Sequence, residues 1–435
     1  MSDTRMRAPR RWPAVVAAGA LTAAVVATGA GVAVAADEDR DRARSGQGRA
    51  NNVILFIGDG MGAAHRNAAR LAGVGLEGDL VMDSLDYAGL IKTDAADPNG
   101  FITDSAASAT SYATGVKTYN GAIGVDVNNN PVQTLIERAE SAGKATGLVT
   151  TGQVTDASTA AFGAHVENRS EQTEIARQYI EETGVDVLLG GGEDFWYPAG
   201  DPGTFPDAPA EDPAEGSRSN QGNLVQRATD EFGYQYVTSP YELTAANGEK
   251  LLGLFANQEM FQQRPEGQGD IYDPVVSLEE MTRKAIETLS QSRRGFVLIV
   301  EEEAVDEMAH SNNAQRTIDT VLELDKAVAV GKQFAEQDGR TLVITTADHE
   351  TGGMAIEDTG SNDESGDGVS AEDGPFPVAG SAFSFNVDWT TTGHTNVDVP
   401  LTAMGPGADR LAGVHENTFV HQVMLESMFR ARPGR

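Results

Sequence analysis

The stretch Asn51–Gly62, NNVILFIGDGMG, decides the architecture. Val53–Ile57 is a short, continuous apolar run, the pattern of a strand buried on both faces of a parallel sheet. It stops at Gly58-Asp59-Gly60, where small residues leave one carboxylate bare at the strand's end. In an open α/β sheet, ligands bind in the crevice beyond the carboxyl ends of the strands. The pattern recurs: Phe296–Val300 (FVLIV) runs into Glu301, and Leu342–Thr346 (LVITT) into Ala347-Asp348-His349. Parallel strands share one C-terminal edge, so three carboxylates from distant segments converge there. Any one of them reads equally well as a helix cap or a solvated group. Together they repel unless protons or metal ions intervene, and nearby imidazoles favour a metal cluster.

Outward from this stretch, strand and helix patterns alternate. Helical patterns cover His65–Ala72, Val132–Ala142 with Gly143 as its stop, a segment from Thr155 reaching towards Arg169, Glu171–Thr183, Leu278–Ser290 and Asn313–Gln337. Further strands are expected at Ala88–Lys92, Gly147–Thr151, Val185–Leu189 and Leu401–Met404, and Leu224–Phe255 reads as mixed helix and strand. This order predicts an α/β fold: a mainly parallel central sheet with helices on both faces and a metal site at the C-terminal ends of its strands. Two stretches break the pattern. Phe195–Asn223 is rich in Pro, Gly and Asp and reads as a surface insertion. Glu357–Gly380 is polar, acidic and Gly-rich, and reads as a mobile loop.

The first 35 residues are read as an export signal: Arg5, Arg7, Arg10 and Arg11, then the apolar run Ala14–Ala33, then the small residues Ala33-Val34-Ala35. The Arg10-Arg11 pair allows twin-arginine export. An uncleaved anchor is the competing reading, and the Ala/Gly content makes it a poor one. Ala36–Ala50 is a charged linker, and a single catalytic domain is expected over 51–435. The expected location is periplasmic or extracellular. The chain of 435 residues carries a formal charge of −33, and loss of the signal, with four Arg and one Asp, takes it to −36. Such a surface repels nucleic acid and anionic lipid. There is no Cys, so no disulfide contributes.

Only seven histidines are present. Asp306 and His310 are four apart and share a face of a helical turn. Asp348-His349 follows a strand, and His394 lies in the small polar loop Thr392-Gly393-His394-Thr395. With Asp59 these make two sets of O/N ligands suited to zinc. His65, His415 and His421 read as solvated or core residues, and His165 as a packing residue. In Asp104-Ser105-Ala106-Ala107-Ser108, Ser105 at a helix start is either a plain cap or a nucleophile beside an anion site.

GDGMG around Asp59, TDSAASAT (Thr103–Thr110), DAST…AHVENR (Asp156–Arg169), VEEEAVDEMAH (Val300–His310), TADHETGG (Thr345–Gly353) and TGHT around His394 occur in this order and resemble the alkaline phosphatases. The resemblance spans Asn51–Phe429, and TDSAASAT with TADH is its most specific part. It implies that Ser105 becomes phosphoserine. It also implies one zinc on Asp306, His310 and His394, a second on Asp59, Asp348 and His349, and a magnesium on Asp59, Ser158 and Glu301. Arg169 would grip two phosphate oxygens, oriented by Asp104. Small phosphate monoesters are the implied substrates, no stable membrane insertion is implied after processing, and a homodimer is common in the family. Two features depart from the pattern: Glu307 stands where many relatives carry His or Lys and, with Asp156, adds negative charge around the magnesium and phosphate, and the disulfides of some relatives are absent. Glu301 is chosen from Glu301-Glu302-Glu303 by its spacing to Asp306. The alternatives are a phosphodiesterase or phosphomutase of the same superfamily, or a non-catalytic metal- or phosphate-binding surface protein.

Overall fold

The computed structural model describes residues 48–205, 216–261, 274–360 and 372–429. The expected export signal lies outside these residues, as does all but the end of the expected linker. That end already belongs to the fold: Ala50 is buried, its N–H donates to Ser427 O at 3.0 Å, and Arg49 donates to Met428 O.

In chain order the strands are β1 (Asn52–Gly58), β2 (Tyr87–Lys92), β3 (Ala145–Gln153), β4 (Val187–Gly191), β5 (Gln235–Val237), β6 (Leu251–Leu254), β7 (Phe296–Glu302), β8 (Thr341–Thr346), β9 (Glu350–Thr351), β10 (Met354–Asp358), β11 (Asp373–Pro377), β12 (Ser384–Trp389), β13 (His394–Thr395), β14 (Val399–Met404) and β15 (Gly413–Glu416). Ten of them form one sheet in the order β15-β2-β14-β8-β1-β7-β3-β4-β6-β5. Only β14 runs against the rest. The fold class expected from the sequence is therefore the one observed. β1 lies between β7 and β8, with Ile57 level with Glu301 on one side and Thr346 on the other. Val53 to Ile57 are fully buried, and each such side chain contributes roughly 1.5–3 kcal/mol.

Helices Ala63–Gly73, Leu278–Leu289 and Ala314–Asp338 pack together over one face, and Ser105–Thr114, Ala157–Gly163 and Asn417–Phe429 over the other. The longest helix approaches β1 closely because Gly331 lies on Phe56: a Cβ there would be 2.7 Å from the ring. Asn313 caps its start by accepting from Arg316 N, and Gly339 ends it in the left-handed region.

Three expectations need correction. The stretch read as a mobile loop from Glu357 is in part a sheet: β10 and β11 both pair antiparallel with β12. Phe376, Val378, Phe385, Val387 and Trp389 close a second core with Ala68, Leu71 and Ile318. Only one face of this small sheet is apolar, so the stretch looks polar in sequence; residues 361–371 are outside the described ones. Likewise the insertion expected from Phe195 begins in the core. Trp196 is fully buried, and the Asp194 carboxylate accepts from Gly216 N and Gln258 Nε2 at 2.7 Å each. Finally, the helix after Thr155 does not reach Arg169. It covers Ala157–Gly163, stops where Gly163 packs on Tyr179, and leaves through an extended Ala164. Val166 then pairs with Ile123, which puts Arg169 on a loop.

Candidate active site

The C-terminal ends of β1, β7 and β8 bring the expected residues together. Asp59 is the first residue past β1, its N–H held by Glu302 O at 3.1 Å. Gly60 follows at φ +67°, and a Cβ there would lie 2.6 Å from Asp306 Oδ1. The turn thus needs glycine for both its conformation and its closeness to Asp306. Past β8, Asp348 Oδ1 accepts from Gly60 N at 3.0 Å and His349 N at 2.9 Å, leaving Oδ2 for another role. His349 Nε2 lies 3.2 Å from Asp348 Oδ2, 3.5 Å from Asp59 Oδ1 and 3.3 Å from Ser105 Oγ.

Asp306 and His310 share one face of the short helix Ala304–His310, with His310 Nε2 3.1 Å from Asp306 Oδ2. His394 comes in on β13, paired with β9 opposite Thr351. Its Nε2 is 3.1 Å from His310 Nε2 and 3.7 Å from Asp306 Oδ1, and its ring stacks on His349 at 3.6 Å. His310 Nδ1 donates to Thr392 O at 2.6 Å and His394 Nδ1 to Thr103 O at 2.9 Å. Carbonyls only accept, so in the neutral rings both Nε2 lone pairs face the carboxylates, as metal-binding imidazoles require.

Ser105 opens the helix Ser105–Thr114 and is buried. Asp104 caps that helix, accepting from Ala107 N at 2.9 Å and, through Oδ2, from Gly121 N at 2.8 Å. Ser108 and Tyr112 donate to the carbonyls of Asp348 and Ala347, tying the serine helix to the metal-side loop. The Arg169 guanidinium is 2.6 Å from Asp156 Oδ2 and 3.6 Å from Asp104 Oδ2. Asp156, rather than the expected Asp104, is therefore its close partner. Ser158 Oγ is 3.5 Å from Asp59 Oδ2.

The run of three glutamates is sorted by the pleat. Glu302 points away from Ser158 and accepts from Thr151 Oγ1 at 2.6 Å, whereas the Glu301 carboxylate feels the Ser158 and Thr150 hydroxyls. The sequence reasoning missed Thr351, whose hydroxyl donates to Asp306, and Glu303, which is buried. Glu303 lies just past the end of β7, where its backbone already turns into the next helix, so the strand pattern did not single it out. Of the histidines given bland readings, His65 is buried and accepts from Gly62 N at 3.1 Å, and His165 bonds Gly124 O at 2.7 Å and Glu137 Oε1 at 3.1 Å.

Burial and mutual charge set the electrostatics of the cluster. Burial and then the charges of Asp348 and Asp306 push Asp59 well above the carboxylate range. Burial takes Asp348 to about 6 and Glu301 to about 7. Asp306 goes the other way: burial opposes ionisation, but the His310 hydrogen bond and the neighbouring imidazoles outweigh it. The Asp306 hydrogen bond lifts His310 to about 9, while burial holds His349 neutral. Asp59 Oδ1, Asp348 Oδ2 and Glu301 Oε2 are buried without a hydrogen-bond partner among the described residues. Buried acceptors of this kind call for cations. Two triads, Asp306-His349-His394 and Asp59-Asp348-His349, have ligand atoms within 4.8 Å of one another, and His310 adjoins the first. The donors fit bound metal.

A mainly parallel sheet whose strand ends gather carboxylates, imidazoles and the first serine of a helix defines a metallohydrolase-type site. The family model for alkaline phosphatases matches residues 50–380 and 378–429. Alkaline phosphatase 4 of Bacillus subtilis (strain 168) is 32% identical over 84% of this chain and 86% of its own. Streptomycin-6-phosphate phosphatase of Streptomyces griseus is 35% identical over 86% and 89%. Among solved structures, a TAB5 alkaline phosphatase variant with Mg bound is 28% identical, covers 88% of this chain and 98% of its own, and superposes with a TM-score of 0.69. The chain belongs to the alkaline phosphatase family and is a metal-dependent phosphatase. Among the described residues no helix is long and apolar enough to cross a membrane.

Proposed function

We propose that this phosphatase hydrolyses phosphate monoesters through a phosphoserine on Ser105. The observation that carries the reading is the position of Ser105 Oγ at the start of a ten-residue helix, 3.3 Å from His349 Nε2, which itself lies 3.5 Å from Asp59 Oδ1 and 3.2 Å from Asp348 Oδ2. Exposed N–H groups there favour an anion. Arg169, held by Asp156, offers its fork to two non-bridging phosphate oxygens. Ser105 Oγ bonds to phosphorus as the ester oxygen departs as an alcohol. Water then replaces Ser105, releasing inorganic phosphate and restoring the hydroxyl.

Asp306, His310 and His394 would hold one zinc and Asp59, Asp348 and His349 another, with magnesium on Asp59, Ser158 and Glu301. Bound there, the cations supply Lewis acidity and charge neutralisation. The basic, then apolar, then small-residue pattern of residues 1–35 supports export.

The test compares a chromogenic phosphate monoester with the matching diester, in wild type and Ser105→Ala, with acid-quench trapping of phosphoprotein. Wild type should prefer the monoester. Ser105→Ala should trap no phosphoprotein and lose roughly 10³-fold or more in kcat. Diester preference, or phosphoprotein in Ser105→Ala, would overturn the reading.

A further inference from the structure

The oxygen-rich end of the site holds one carboxylate more than this reading uses. Glu303 is 5% exposed, and its Oε2 has no hydrogen-bond partner among the described residues. Its backbone is fixed by a 3.0 Å bond from its N–H to Thr151 Oγ1. The carboxylate lies directly over Gly152 of β3. A Cβ at Gly152 would fall 1.0 Å from Glu303 Oε2 and 2.2 Å from Cδ, so the strand makes room for this group with a glycine.

Around Glu303 stand other acids. Beyond burial itself, the charges of Asp156 and Glu301 act on it most strongly, followed by Glu259 and Glu307. Arg169 senses Glu303, but its guanidinium is bonded to Asp156 at 2.6 Å. Evicting water from a carboxylate in such company is unfavourable unless a cation or a proton accompanies it. The side chains named around Glu303, those of Glu301, Asp59, Ser158 and Asp156, offer oxygen donors. An all-oxygen shell takes hard cations, and extra carboxylates suit Ca2+ as well as Mg2+.

We propose that Glu303 helps hold the hard divalent cation of the Glu301–Ser158–Asp59 pocket, directly or through one of that cation's waters, so that the pocket binds Mg2+ or Ca2+ with one carboxylate beyond those assigned to it above. This rests on the metal-dependent reading. The competing role is a protonated filler over Gly152, which would do nothing for metal.

The test is calorimetric titration of the zinc-saturated, otherwise dialysed full chain with Mg2+ and with Ca2+, in wild type and in Glu303→Gln, which keeps shape and removes charge. Zinc content is counted by elemental analysis. Glu303→Gln should bind Mg2+ and Ca2+ about 10- to 100-fold more weakly, with zinc content unchanged. Equal affinities would overturn the role of Glu303 while leaving the phosphatase reading intact. A wild type that takes up no hard cation beside zinc would overturn both the pocket and this inference. Should Glu303→Gln fail to fold, wild-type crystals soaked in Mn2+ decide. An anomalous peak within about 5 Å of the Glu303 carboxylate, the reach of one bridging water, supports the role, and a peak farther away overturns it.

Discussion

Glu307 adjoins Asp306 and lies within electrostatic reach of Asp156, the close partner of the proposed phosphate clamp Arg169. It lies half-buried on the helix that carries Asp306 and His310, and burial with the charges of Asp306 and Glu259 pushes it up to about 8. A cation at 307 would compete for Asp156, loosen its hold on Arg169, and add a positive charge of its own. Glu307→Lys is therefore expected to lower the inhibition constant of inorganic phosphate by about tenfold, roughly 1.4 kcal/mol. It should also slow turnover where product release is limiting. Phosphate inhibition of both proteins at fixed zinc and magnesium measures this. Equal constants would mean that the charge at 307 is not felt by phosphate. At this scale the sequence was unevenly informative. Asp59, Asp348 and His349 are marked by buried runs that stop at them. Ser105 is indistinguishable from an ordinary cap until His349 is placed 3.3 Å away. Arg169 carries no local mark, because the loop that presents it, just past Val166, is set by the distant pairing of Val166 with Ile123.

The elements β1, β7 and β8 set a cost that bound metal relieves, and the cost depends on pH. Without metal, Asp348 at about 6 and Glu301 at about 7 keep protons that the unfolded chain, with carboxylates near 4, has already released. Asp59 and Glu303 shift in the same direction. More protons on the folded state mean that stability falls as pH rises through this window, from about 4 to about 7. His349 and His65, lowered by burial, act oppositely below about 6.5. Glu307, pushed up to about 8, and His310, lifted to about 9, add to the fall, so at this site the raised groups outnumber the lowered ones. The chelated protein should thus lose melting temperature between pH 5 and 7.5. The metal-loaded protein, whose ligands stay ionised, should show a flat or rising curve, and the gap between the two should widen with pH. A constant gap would mean that the carboxylates are neutralised by something other than metal. These strands were legible because a continuous apolar run has few other readings. The β10–β12 sheet was not, since its apolar residues, Phe376, Val378, Phe385 and Val387, alternate within polar, Gly- and Pro-containing sequence. Its existence depends on the helix faces at Ala68, Leu71 and Ile318 that cover it, and no local pattern reports a distant partner.

For the molecule as a whole, the decisive quantity is a formal charge of −33 on 435 residues. The basic residues are extensively engaged: Arg177 alone bridges Glu174, Glu181 and Glu182, and Arg227 shares Glu181. Pairing of this kind neutralises local clusters and leaves the excess acid unopposed elsewhere. Exposed pairs contribute little on their own, about 0–1 kcal/mol each. Long-range repulsion among the surplus carboxylates falls on the compact state, which holds the charges closer together than the unfolded chain does. Salt shortens the reach of that repulsion to roughly 10 Å at 0.1 M and 3 Å at 1 M. Metal-site contacts such as Asp348 with His349 are fully buried and are screened far less. Melting temperature should therefore rise from low salt to about 1 M NaCl at fixed zinc and magnesium, with activity retained. Sucrose at matched osmolality separates screening from general exclusion effects, which it reproduces without ions. A rise with NaCl well beyond that with sucrose is the expected result. A flat or falling NaCl curve would mean that the acidic surface is already neutralised by spacing or bound cations, and that the charge serves solubility alone.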